Sequence, residues 1–195
     1  MSTLAQSYGG AWRVWRQYWI TYGGWRSVIY SPYVHVSLAL AGVTFGVWIR
    51  ENWWEQVFSM IPSLLGFSLG GFAIFLGFGN EQFRNLISGR DASSWQSQSP
   101  YMATASAFSH FIVIQVLALL IAVLSSAAWL LPVPTSPLLG KANEAARFAL
   151  WFFGYWLFLY ALCLTAATLF AVFRVAKWFD EYRTQERKND RGTST

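Results

Sequence analysis

The sequence predicts an all-α polytopic membrane protein: a bundle of four transmembrane helices preceded by an amphipathic helix lying in the membrane interface. Three observations carry that prediction. Of 195 residues, 55% are apolar and only 12% charged, against roughly 25% charged in soluble domains. The apolar residues gather in four windows, about 27–49, 57–79, 103–131 and 148–173, each near the roughly 20 residues that cross a bilayer. The basic residues alternate between the connections: eleven lie in the N-terminal segment, the 80–100 loop and the tail, and only Arg50, Lys141 and Arg147 lie in the other two. That bias predicts cytoplasmic termini, and a bacterial inner (plasma) membrane is the expected location. The first 25 residues lack the continuous apolar core of a cleaved signal peptide.

Residues 1–26 form the first unit. Trp12, Trp15 and Trp19 recur at helical spacing, with Arg13, Arg16 and Gln17 directed elsewhere. Indoles on one side and guanidinium groups on the other suit a helix anchored at the headgroups. A docking surface for a soluble partner is the alternative. Gly23-Gly24 should break this helix and turn the chain into the bilayer.

The four-span domain follows, over 27–180. The first span has Pro32 near its start, where a missing N–H costs least. It carries Ala39, Gly42 and Gly46 as a small-residue stripe, with His35 on the same face. The short loop to the second span, with Trp53 and Trp54 as an interface belt, makes the two spans an antiparallel hairpin. The second span, VFSMIPSLLGFSLGGFAIFLGFG, is read as the packing spine. Its Ser59, Ser63, Gly66, Gly70, Ala73 and Gly77 recur at steps of four and three, one stripe on a helix. Small residues permit the close backbone approach on which helix association in lipid depends. The stripe can face the stripe of span one, form a homo-oligomeric contact, or line a pore.

Beyond the spine, Phe83, Leu86 and Ile87 extend along the membrane surface before a Ser/Gln-rich loop. Pro100 suits the first turn of the third helix. The three prolines of PVPTSPLLGKANEAAR predict an extended connector, and the fourth span is dense in aromatic residues. The tail, 181–195, is charged, and its last residues, KNDRGTST, are expected to be disordered.

Few residues promise chemistry. His35 and His110 sit at or inside the membrane boundary, where ionisable groups are costly and often functional. Glu81 and Asn80 are expected at the depth of His110, so a His110–Glu81 contact is a candidate polar, pH-sensitive site. Two histidines and a single cysteine, Cys163, do not make a metal centre of three or four ligands, and no metal or cofactor is expected. Ser63, Ser125 and Ser126 have no base at helical spacing, no serine lies in a GxSxG, and GFSLGG lacks the strand and Lys-Ser/Thr of a phosphate loop. The net charge of +5 follows membrane topology rather than nucleic-acid binding.

The function expected from the sequence is therefore non-enzymatic. The chain would be the oligomeric membrane subunit of a larger system, recruiting or responding to a cytoplasmic protein through the 80–100 loop and the tail. The alternative is a channel or membrane-perturbing effector, of the sort found in bacterial stress or anti-phage defence, with a pore lined by the second span.

Overall fold

The computed structural model describes residues 2–50, 52–88, 99–130 and 137–192, which are helical apart from short turns, with no strand among them. The elements are α1 (Ser2–Tyr22), α2 (Gly24–Ile29), α3 (Pro32–Val43), α4 (Phe45–Arg50), α5 (Trp53–Gly77), α6 (Glu81–Ile87), α7 (Pro100–Leu130) and α8 (Pro137–Gly192). Three of them, α5, α7 and α8, are long and apolar enough to cross a membrane.

The expected first span over 27–49 is not one helix. Its longest piece, α3, has 12 residues, about 18 Å at 1.5 Å per residue and short of a hydrocarbon core of roughly 30 Å. The break lies at Thr44, between Gly42 and Gly46. The Thr44 hydroxyl donates to the Leu40 carbonyl at 2.6 Å, and the Thr44 N–H uses the same oxygen. A side chain that bonds back into the helix in this way competes with its ladder. The Trp48 indole N–H then donates across the break to the Ala41 carbonyl at 2.9 Å.

The packing spine is α7, not the second span. Thr104, Phe108, Phe111, Gln115, Ala118, Ala122 and Ser125, at steps of four and three, are all buried. Helix α7 lies between α5 and α8, α3 packs on the far side of α8, and α1 crosses the start of α7. The expected hairpin pairing therefore does not form: α3 packs chiefly on α8, and α5 chiefly on α7 with a smaller contact to α8. The reason lies in which faces are large. Helix α5 turns Trp53, Trp54, Val57, Ile61 and Phe75 inward, and these cover far more apolar area than the opposite, small-residue face. Trp53 and Trp54 are thus core residues, 0% and 6% exposed, rather than a lipid-facing belt.

The glycine that matters to this core is Gly154 of α8. A Cβ there would sit 2.7 Å from an Ile121 methyl, 2.8 Å from Trp53 Cζ2 and closer still to Trp53 Cη2, so the bare backbone is what admits the Trp53 ring. Two polar clips add direction to the apolar packing. The Trp156 indole N–H donates to the Ser37 hydroxyl at 3.0 Å, joining α8 to α3, and the Ser37 hydroxyl donates to the Val34 carbonyl at 2.8 Å. The Gln115 amide donates to the Ser68 hydroxyl at 3.1 Å, joining α7 to α5. Trp156→Phe keeps the ring and removes the donor. It is expected to lower stability by about 0.6–1 kcal/mol, read as a shift in the denaturant midpoint in mixed micelles.

The two ends of the bundle differ. At one end Phe78 and Phe83 pack on Phe179, the Tyr182 hydroxyl donates to the Gln82 side chain at 3.0 Å, and Tyr101 stacks on Phe75. At the other, Arg147 lies 5.4 and 5.6 Å from the ring centres of Trp129 and Trp151 and donates to the Trp129 carbonyl at 3.3 Å. That carbonyl belongs to the last turn of α7, where helix acceptors have no partner of their own and favour a cation.

Helix α8 overturns two expectations. From Pro137 the expected extended connector is helical, since LLGKANEAAR is rich in helix formers once the proline is past. Residues 131–136 of that connector lie outside the described residues. The tail is helical to Gly192 rather than disordered, with Lys177–Glu181 and Arg183–Glu186 pairs at helical spacing; residues 193–195 lie outside the described set. Most of the predicted 80–100 loop, 89–98, also lies outside it. Its beginning forms α6, capped by the Asn80 side chain, which accepts from the Phe83 N–H at 2.9 Å.

Candidate functional site

Polar chemistry inside the bundle converges on His110, one of its most buried side chains at 2% exposure. It projects from α7 ten residues past Pro100. Tyr18 of α1 lies 2.8 Å from Nδ1 and Tyr160 of α8 lies 3.0 Å from Nε2. A neutral imidazole has one donor and one acceptor nitrogen, so one phenol donates into the ring and the other accepts from it. Tyr22, one helical turn after Tyr18, stacks flat on the imidazole with centroids 3.8 Å apart and planes 13° from parallel. Burial pushes both α1 phenols above the ordinary tyrosine pKa, with Tyr22 adding to the shift at Tyr18, so their hydroxyl protons stay available as donors.

This cluster is how α1 is tied to the bundle. Gly23, with φ of 101°, and Gly24, with φ of 62°, reverse the chain directly after Tyr22, as the Gly-Gly pair predicts. Positive φ is cheap only for glycine. The reversal brings α1 back over the start of α7 and sets Tyr18 and Tyr22 against His110.

Two cavities meet at the His110 ring. The larger, about 520 Å³, lies between α1 and the α7–α8 pair. Trp12, Trp15 and Trp19 form its α1 wall, Val113, Ile114 and Leu117 its α7 wall, and Leu157 its α8 wall, with the Tyr18–His110–Tyr160 cluster at one end. Arg16 lines the same space, correcting the expectation that the arginines point away from the tryptophans; at four residues from Trp12 it shares that helix face. Gln17 does lie on another face, in a small groove with Val14 and Thr21. The second cavity, about 250 Å³, is richer in hydroxyls, with Tyr22, Ser31, Thr104 and Thr168 in its wall and Arg174 beside it.

The other sequence candidates fall elsewhere. Glu81 does not reach His110: it is exposed in the first turn of α6, and Asn80 is occupied as that helix's cap. Two of the histidine's partners, Tyr18 and Tyr22, come from the helix that was expected to lie apart on the membrane surface, and the third, Tyr160, from α8. His35 is exposed, as are Ala39, Gly42 and Gly46. Ser59, Ser63, Gly66, Gly70, Ala73 and Gly77 are exposed without exception, and a Cβ at Gly42, Gly46, Gly66, Gly70 or Gly77 would meet nothing within 4 Å. Within one chain the stripes therefore pack against no helix. Trp12 and Arg13 are exposed, and Trp19 is half-buried.

Chemically, the cluster is suited to holding rather than reacting. Both imidazole nitrogens are engaged by neutral phenols, and no acid lies in either cavity wall. Among the described residues no group of three or more His, Cys, Asp or Glu side chains is placed to hold a metal. Tyr18, Tyr22, Tyr160 and Gly154 were not marked out by the sequence. The four-residue spacing of Tyr18 and Tyr22 was visible, but nothing in it pointed to a residue 88 or more positions away. No protein-family model matches the chain, and no curated protein or solved structure shows significant similarity to it.

Proposed function

We propose that this chain is a non-enzymatic membrane subunit that self-associates through its small-residue faces and presents its helical tail to a cytoplasmic protein. The observation that carries the proposal is the outward direction of the α5 stripe. Six small residues in register leave a smooth, unfilled face of a helix apolar enough to lie in lipid. Association in lipid depends on such close backbone approach, and no described helix of the chain packs on the face. In this proposal α3 and α4 together act as a broken first crossing. Their 19 residues from Pro32 to Arg50 extend about 28 Å. The bundle then crosses four times, α1 lies at the interface, and the basic end carrying α1, α6 and the tail faces the cytoplasm of a bacterial inner membrane. The exposed far end of α8 and the 80–100 segment form the partner surface.

The test is the mass of the full chain in nanodiscs. The wild type is expected as a defined oligomer, and the Gly66→Leu/Gly70→Leu double variant as a folded monomer. A monomeric wild type would end the proposal. A ring that leaks ions, with leakage altered by Gly70→Leu, would place the stripe around a lumen instead.

A further inference from the structure

The cavity beneath α1 combines two properties that its anchoring role leaves unused. It is a long apolar slot, and it holds one cation without a partner. Val113, Ile114 and Leu117 extend it along α7 from His110, about 10 Å at 1.5 Å per residue, to near the middle of a 31-residue helix. Its volume of about 520 Å³ lies inside the roughly 300–1,000 Å³ range of ligand pockets. Arg16 in its wall makes no ion pair or hydrogen bond among the described residues, and none is within reach in sequence: the first 50 residues contain no aspartate or glutamate. A guanidinium beside indoles and an aliphatic channel is complementary to a molecule with a phosphate at one end and a hydrocarbon chain at the other.

We propose that this cavity binds one membrane phospholipid with an anionic headgroup, its phosphate on Arg16 and one acyl chain along the Val113–Leu117 wall. The His110–phenol cluster closes the slot, since both imidazole nitrogens are already bonded and leave no polar group for the chain to desolvate. Arg13, exposed on the same helix but outside the cavity wall, supplies general surface charge and not the site. The inference is independent of self-association.

The full chain, stripped of lipid by detergent exchange, would be offered matched amounts of phosphatidylglycerol and phosphatidylcholine with identical acyl chains and examined by native mass spectrometry. The expected result is one retained lipid per chain, with phosphatidylglycerol favoured about fivefold, the effect of one arginine on an anionic lipid. Arg16→Gln should abolish the preference and Arg13→Gln should keep it. Leu117→Trp, which fills the slot, should abolish retention of both lipids. Equal retention of the two lipids by the wild type would overturn the proposal. So would equal loss of preference in the two arginine variants, or undiminished retention by Leu117→Trp. Because Arg16 is exposed, its variant reports on the site without endangering the fold.

Discussion

Gly154→Ala is expected to destabilise the bundle by about 3 kcal/mol, although it adds one methyl group. The added carbon would lie 2.7 Å from Ile121, 2.8 Å from Cζ2 and closer still to Cη2 of Trp53, a residue with no exposed surface. Neither neighbour is a flexible chain end, so the cost belongs with overpacked cores, typically 1–3 kcal/mol. Valine should cost more. Trp53→Phe withdraws the ring atoms that obstruct the methyl, and the double variant Trp53→Phe/Gly154→Ala should be more stable than the sum of the single effects predicts. Gly70→Ala is the control, since its Cβ points into open space. Denaturation midpoints of monomeric protein in mixed micelles read all five. Equal midpoints for Gly154→Ala and Gly70→Ala would refute the claim that the close α5–α8 approach depends on this glycine.

His110→Leu is expected to release α1. It leaves the buried Tyr160 hydroxyl without its imidazole partner, a loss of about 1–3 kcal/mol, and removes the 3.8 Å stack with Tyr22, worth about 0.5–1.5 kcal/mol. The damage should be greatest in α1, because Ala118 and Ala122 lie about two and three turns along α7 from His110 at 3.6 residues per turn. Amide exchange in residues 10–22 should accelerate tenfold or more while that around Ala118 and Ala122 is unchanged. Tyr18→Phe, which breaks one bond and keeps the ring, should produce a smaller effect in the same amides. Exchange in α1 that His110→Leu leaves unaltered would mean that the helix is held by its tryptophans alone.

Much of the helical architecture was legible in the sequence because apolar content and length suffice to find long helices in a chain so poor in charge. The Gly23-Gly24 turn and the proline starts of α3 and α7 were legible for the same local reasons. Neighbour relations were not. The regular α5 stripe drew attention to a face that no other helix covers, while the buried face carries Trp53, Trp54, Val57, Ile61 and Phe75, large residues on the opposite side interrupted by Ser68. Pattern alone gives the period of a helix and not which of two periodic faces turns inward. Area decides that, and large side chains bury more of it. The buried stripe of α7 was hidden for a related reason: it mixes Thr104, Phe108, Gln115 and Ala118, so no single residue class repeats. His110 was singled out as a polar residue at the membrane boundary, and its partners were sought nearby in depth on α6. Two came from a helix 88 or more residues upstream, folded back by two glycines, and the third, Tyr160, from α8.

Helix α8 is one uninterrupted length of 56 residues, about 84 Å, with no proline after Pro137 and no glycine between Gly154 and Gly192. Mechanically it is a strut without a joint. Its outer portion carries Phe179 and Tyr182 on α6, its middle carries Tyr160 against His110, and its inner portion carries Gly154 beneath Trp53. A protein that pulled or twisted the tail would load the same rod that closes the lipid slot. Torque applied outside the bilayer and occupancy within it would then be balanced against each other along a single backbone.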